Sequence, residues 1–196
     1  SSLICHFHFL RDIGKDLLDD DYRDLRNRLT NSKIRVALRS KAKDFEEKLG
    51  QKMRDLAKID GDPELAATKT ALLFINWMFD TSSLSGYGFP FDVKHLLFYH
   101  RLISGYEQMK QLYELTGNKP FYQLIKLLRR IDDDQELERT ASLLDKNEMI
   151  FNELRKALRI TLPGNQQGLN DSGEMCDMKS IADKVDKFVK KYDSST

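Results

Sequence analysis

The sequence is poor in the residues that build cross-linked or turn-rich folds. Of its 196 residues two are cysteine, Cys5 and Cys176, four are proline and ten are glycine. Two cysteines so far apart make no disulfide framework, and the expectation is a reducing, cytoplasmic compartment. So few prolines and glycines argue against a fold of short strands and tight turns, and for long helices. No basic-then-apolar leader opens the chain. The most apolar run, ALLFINWMF (Ala71 to Phe79), is too short to cross a bilayer and contains Asn76. It reads as a buried helix, and no membrane partner is expected. No Gly-rich phosphate loop, nucleophile elbow or His-Glu-x-x-His motif is present, which removes the commonest routes to nucleotide hydrolysis, acyl transfer and zinc proteolysis.

What is present is charge and helical periodicity. Hydrophobic residues make up 40% and charged residues 32%, as expected of helices that show one face to water. Residues 3–9 are short, apolar and aromatic, and read as a strand. Helices are then expected over about 9–17 and 20–29, the second capped by Asp19-Asp20-Asp21. A long helix is expected over 32–59, with Ile34, Leu38, Ala42, Phe45 and Leu49 in one stripe. DGDPE (Asp60 to Glu64) is a stop and restart, with Asp62 as N-cap and Pro63 in the first turn. The helix 63–79 is apolar nearly all round its second half, which predicts a central position with Trp77 buried. SSLSGYGFPFD (Ser82 to Asp92) is a loop, followed by helices over 92–115, 120–131 and 135–159. A linker over 161–174 leads to an amphipathic helix over 178–192. The fold class is therefore all-α, a bundle of about six to eight helices with one short N-terminal strand.

The net charge is +1, yet it is unevenly spread. From Tyr22 to Lys43 eight basic residues face one acidic residue, whereas residues 132–153 carry eight acidic and two basic residues. Arg35, Arg39 and Lys43 recur every four residues and line one helix flank. Together with Arg23, Arg26, Arg28 and Lys33 they form a ridge suited to nucleic-acid phosphates. The other reading is a solvated face neutralised by the acidic helix of the same fold. The runs Asp19–Asp21 and Asp132–Asp134 fit helix capping better than metal binding.

Cys5-x-x-His8 and His95-x4-His100 have spacings that zinc accepts. On a regular helix, however, His95 and His100 point about 140° apart, at ~100° per residue. No metal site is expected in this chain.

The stretch CHFHFLRDIGKDLL (Cys5 to Leu18), followed by YRDLRNRL (Tyr22 to Leu29), resembles bacterial Mutator-like transposases with a DDE/RNase H-type catalytic domain. Phe89-Pro90-Phe91-Asp92 and LPGNQQGLND (Leu162 to Asp171) resemble further landmarks of the long helical insertion in that family. The resemblance implies that residues 1–9 are a strand remnant of the catalytic core. It implies a helical insertion over 10–160, a linker over 161–177 and a terminal helix over 178–196. Cys5 and His8 match the family's Cys-x-x-His element, which would place them beside an active site. The two catalytic aspartates lie upstream of that element in the family, and nothing precedes it here. The chain would thus be a fragment that is not catalytic alone, because it lacks a complete acid triad. The whole enzyme would use Mg²⁺ or Mn²⁺. Implied partners are transposon-end DNA, the rest of the catalytic domain and a second copy in a homo-oligomer. The alternative is a non-catalytic helical protein-interaction domain with no nucleic-acid role.

Overall fold

The computed structural model describes residues 6–50, 61–158 and 178–193, and every regular element among them is helical. There are seven: α1 (His6–Asn31), α2 (Ile34–Leu49), α3 (Pro63–Phe79), α4 (Lys94–Thr116), α5 (Lys119–Asp132), α6 (Gln135–Leu158) and α7 (Met178–Asp193). The bundle class is as expected. Cys5, residues 51–59 of the expected long helix and the linker 161–177 lie outside the described residues.

The N-terminal strand is not borne out over its described part, because residues 6–9 already belong to α1. The expected break before Asp20 is absent as well, and α1 runs unbroken for 26 residues. The reason lies in the buried positions. Leu10, Gly14, Leu18, Tyr22, Leu25 and Leu29 succeed one another at steps of four, four, four, three and four, so a single stripe crosses the acidic triplet. Asp19 and Asp20 sit mid-helix, and Arg23 pairs with both. They are solvated side chains on a helix face and not a cap.

Ser32 and Lys33 turn the chain between α1 and α2. The Ser32 hydroxyl donates to the Leu29 carbonyl at 2.8 Å, and Lys33 takes a left-handed conformation with φ 53°. Gly50, also at positive φ, ends α2. Asp62 caps α3 as expected, accepting from the amides of Glu64 and Leu65 with Pro63 at the first position. Asp134 does the same for α6, accepting from the Leu137 amide at 3.0 Å. Each such cap contributes about 1 kcal/mol.

α4 is the hub, packed against α1, α3, α5 and α6, whereas among the described residues α7 touches only α6. The core is continuous from Leu10 and Leu18 through Ile34, Leu38 and Phe45 to Leu102, Leu124, Leu144 and Phe151. α3 packs against α2, α4 and α5 but is not enclosed. Leu73 is 57% exposed and Trp77 38% exposed. This corrects the expectation of a buried Trp77. An apolar helix with neighbours on three sides still turns one flank outward, and composition alone does not tell which. The Trp77 ring meets Phe74 edge-on, and the Arg101 guanidinium lies 5.4 Å from its centroid.

The segment 80–93 between α3 and α4 positions the site described next. It contains the cis Phe89–Pro90 peptide, and it is drawn tightly onto α1. A Cβ at Gly14 would lie 2.5 Å from Pro90 Cγ and 2.6 Å from Phe151 Cζ, so only glycine lets α1, this segment and α6 meet there.

Candidate nucleic-acid interface

The basic run from Tyr22 to Lys43 folds as the second half of α1 and the first part of α2, hinged at Ser32–Lys33. The hinge separates its residues into groups with different surroundings. Arg28 is drawn inward. It bonds Asp24 at 2.8 Å and lies 3.9 Å from Glu136 of the acidic helix α6. Asp24 in turn accepts from the Thr140 hydroxyl at 3.0 Å, and Asn147 donates to Asp21 at 2.9 Å. Arg28 thus serves the α1–α6 contact. Lys33 is exposed at the turn, and Lys43, also exposed, lies 3.9 Å from Glu47 of its own helix.

Arg26, Arg35 and Arg39 fare differently. None has a carboxylate within 4.0 Å among the described residues, and the same holds for Lys94 at the start of α4. The acidic helix α6 makes no contact with α2. Arg23, Arg26, Arg35 and Lys94 line a cleft of about 860 Å³ between α1 and the segment 80–93. A smaller cavity of about 300 Å³ continues past Arg35, Thr81, Lys94 and His95 towards Phe79 and Phe98. Arg35 forms the boundary of both. Its guanidinium lies 3.9 Å over the Phe98 ring, with Phe79 stacked on Phe98 at 5.5 Å. Arg39, one turn on, lies 5.6 Å from the Phe79 ring. These contacts hold the cations in place through ring faces and leave their hydrogen-bonding edges open.

The wall of the cleft is aromatic. Tyr22 stacks on Phe89 at 4.4 Å with the planes 16° apart, and its ring meets His95 at 5.3 Å. Burial, and then the charges of Arg35, Lys94 and Arg26, hold the His95 pKa down at about 4. The imidazole is therefore uncharged at neutral pH, and its Nδ1 is buried without a hydrogen-bond partner among the described residues. Burial followed by the nearby Arg39 also lowers the pKa of Arg35, which nonetheless stays charged.

Two carboxylates line the cleft: Asp19, which lies 3.6 Å from Arg23, and Asp92. Asp92 Oδ1 accepts from the Ser85 amide at 2.7 Å and its hydroxyl at 2.8 Å, while Oδ2 accepts from the Gly88 amide at 2.8 Å. Burial pushes the Asp92 carboxyl up, but the hydrogen bonds from Ser85, Gly88 and Gly86 outweigh it and leave the pKa below the usual range. The carboxylate is therefore ionised, with both oxygens bonded to its own loop. Gly86 and Gly88 both have positive φ, as the tight path around Asp92 requires.

Of the residues expected from sequence, the fold therefore brings Arg23, Arg26 and Arg35 together, with Arg39 alongside. It turns Arg28 away and leaves Lys33 and Lys43 on the outside. His8 is exposed near the start of α1 and does not line the cleft, and Cys5 lies outside the described residues. His95 and His100 diverge: His95 faces Tyr22, whereas His100 bonds Asp145 of α6 at 2.8 Å. Among the described residues no group of three or more His, Cys, Asp or Glu side chains could hold a metal ion. Nor is any helix there long and apolar enough to cross a membrane. Sequence reasoning missed Lys94, Thr81 and the Tyr22–Phe89 stack, and weighed His95 only as a zinc ligand. The one available signal was the position of Lys94 and His95 directly after a loop rich in glycine and aromatic residues.

No protein-family model, curated protein or solved structure matches the chain.

Proposed function

We propose that this chain is a DNA-contacting helical domain, the insertion of a DDE-type transposase that acts together with catalytic carboxylates carried elsewhere. The observation that carries the reading is the cleft cluster of Arg26, Arg35 and Lys94, with Arg39 beside it, which lacks carboxylate partners among the described residues. A merely solvated charged face would spread its cations and pair them locally, as Lys43 does with Glu47. Converging cations from three helices repel one another, and a phosphate backbone relieves that repulsion while releasing counterions. The transposase assignment rests in addition on the resemblance of the segment from Cys5 to Leu29. In the assembled enzyme Cys5 and His8 would lie near the catalytic centre, and Mg²⁺ or Mn²⁺ would be held by residues outside this chain.

Fluorescence anisotropy with labelled DNA tests the reading. The wild type should bind at low salt, and Arg39→Glu/Lys94→Glu should weaken binding at least tenfold without loss of helical content. Equal binding by the two proteins, or none by either, would return the chain to the rival class of protein-interaction domain.

A further inference from the structure

We infer that the cleft between α1 and the segment 80–93 receives an unpaired strand of DNA, and not the outside of a duplex. The inference rests on the DNA reading above and specifies its ligand. Three features point the same way.

The first is depth. Arg35 is half-buried, with its guanidinium against the Phe98 ring, while Arg26 of α1 and Lys94 of α4 line the same cleft and are exposed. A backbone that meets all three must reach past two exposed cations to a half-buried one. A duplex carries its phosphates on a convex rim and would meet only the outermost cations. A single strand can follow its backbone into the cleft as far as Arg35.

The second is size. A volume of about 860 Å³ falls within the ~300–1,000 Å³ range of sites that enclose small ligands. That is room for a nucleotide or two, not for a base-paired helix.

The third is the wall. Tyr22, Phe89 and His95 form one contiguous aromatic surface, and Phe89 and His95 are both part-exposed. At neutral pH His95 adds a flat uncharged ring and not another cation. Aromatic faces beside a basic track are what unpaired bases stack on. Paired bases keep their faces inside the duplex.

The test is a comparison of the full chain with an oligodeoxynucleotide of about 12 residues, a length within single-strand site sizes, and with the same sequence as a duplex. The single strand should bind at least tenfold more tightly. Phe89→Leu keeps an apolar side chain but removes the ring, and should weaken single-strand binding at least tenfold and so narrow that preference. Lys94 is exposed and outside the core, so Lys94→Glu should weaken single-strand binding at least tenfold even if Phe89→Leu fails to fold. Photocrosslinking with 5-iododeoxyuridine should label a peptide containing Phe89 or His95. If the duplex binds as tightly as the single strand, or crosslinks fall elsewhere, this inference is overturned and the DNA reading survives. If neither form binds at low salt, both fall together.

Discussion

Two faces of this bundle carry nearly opposite charge and use it differently. On the α6 face, acidic residues are spent on holding helices together. Glu136 meets Arg28 of α1, Asp145 meets His100 of α4, and Glu153 accepts from both Lys191 and Tyr192 of α7. On the cleft face, Arg35 and Arg39 meet ring faces, and they, Arg26 and Lys94 have no carboxylate within 4.0 Å among the described residues. The contrast teaches that charge in a stretch of sequence is not charge available at a surface. Arg28 and Arg35 belong to the same basic run, yet one is structural and the other faces a cleft.

The largest expected effect comes where the two faces join. Gly14 lies under both Pro90 of the cleft segment and Phe151 of α6. Gly14→Val should cost about 3 kcal/mol by overpacking, read as a shift in the urea midpoint. A variant as stable as the wild type would show that the seam is loose. A smaller effect separates the faces directly. Asp24→Ala removes the acceptor that serves both Arg28 and Thr140, and should cost about 1 kcal/mol. Arg39→Gln, on the cleft face, should change stability by less than ~0.5 kcal/mol. Equal losses would erase the distinction drawn here.

Acid should act on the cleft face through His95. Its folded-state pKa of about 4 lies below the ordinary 6.5, so between those values the unfolded chain binds the proton first. The stabilisation is complete above pH 6.5 and is lost as the pH falls towards 4. The effect is on the order of 1 kcal/mol once solvent screening of a half-buried ring is allowed for. His95→Phe should flatten that part of the stability profile. Asp92, with its lowered pKa, adds a further loss of the same sign as the pH falls below the usual carboxylate range. The smallest effect concerns the hinge. Lys33→Gly relieves a left-handed lysine and should leave stability within about 0.5 kcal/mol of the wild type, as strain relief offsets added freedom in the unfolded chain.

Much of the fold was legible because helix caps and stripes are local. Asp62 with Pro63, Gly117 after α4 and the stripe of Ile34, Leu38, Phe45 and Leu49 all lie where spacing and cap chemistry place them. Three features misled. An apolar, aromatic opening read as a strand, although its periodicity is continuous with the helix that follows. Three consecutive aspartates read as a cap, although capping needs only one, and the stripe beneath them never breaks. Trp77 was misplaced because hydrophobicity all round a helix does not reveal which flank lacks a neighbour. The site was only half legible. Arginines at steps of four announce a charged flank, but Lys94 and His95 reach the cleft through a loop whose path is set by Asp92 and by the close approach at Gly14. Those are tertiary contacts with no local signature.

The central claim is that cleft cations are free for phosphate while Arg28 is not. The salt dependence of DNA binding tests it most directly, since each neutralised phosphate contributes about −0.7 to −0.9 to the slope of log K against log salt. The wild type should show a slope of roughly −3, from four cations at about that contribution each. Arg39→Gln should make it shallower by about 0.7–0.9, and Arg28→Gln should leave it unchanged. A slope indifferent to Arg39, or one that falls as much on losing Arg28, would contradict the account.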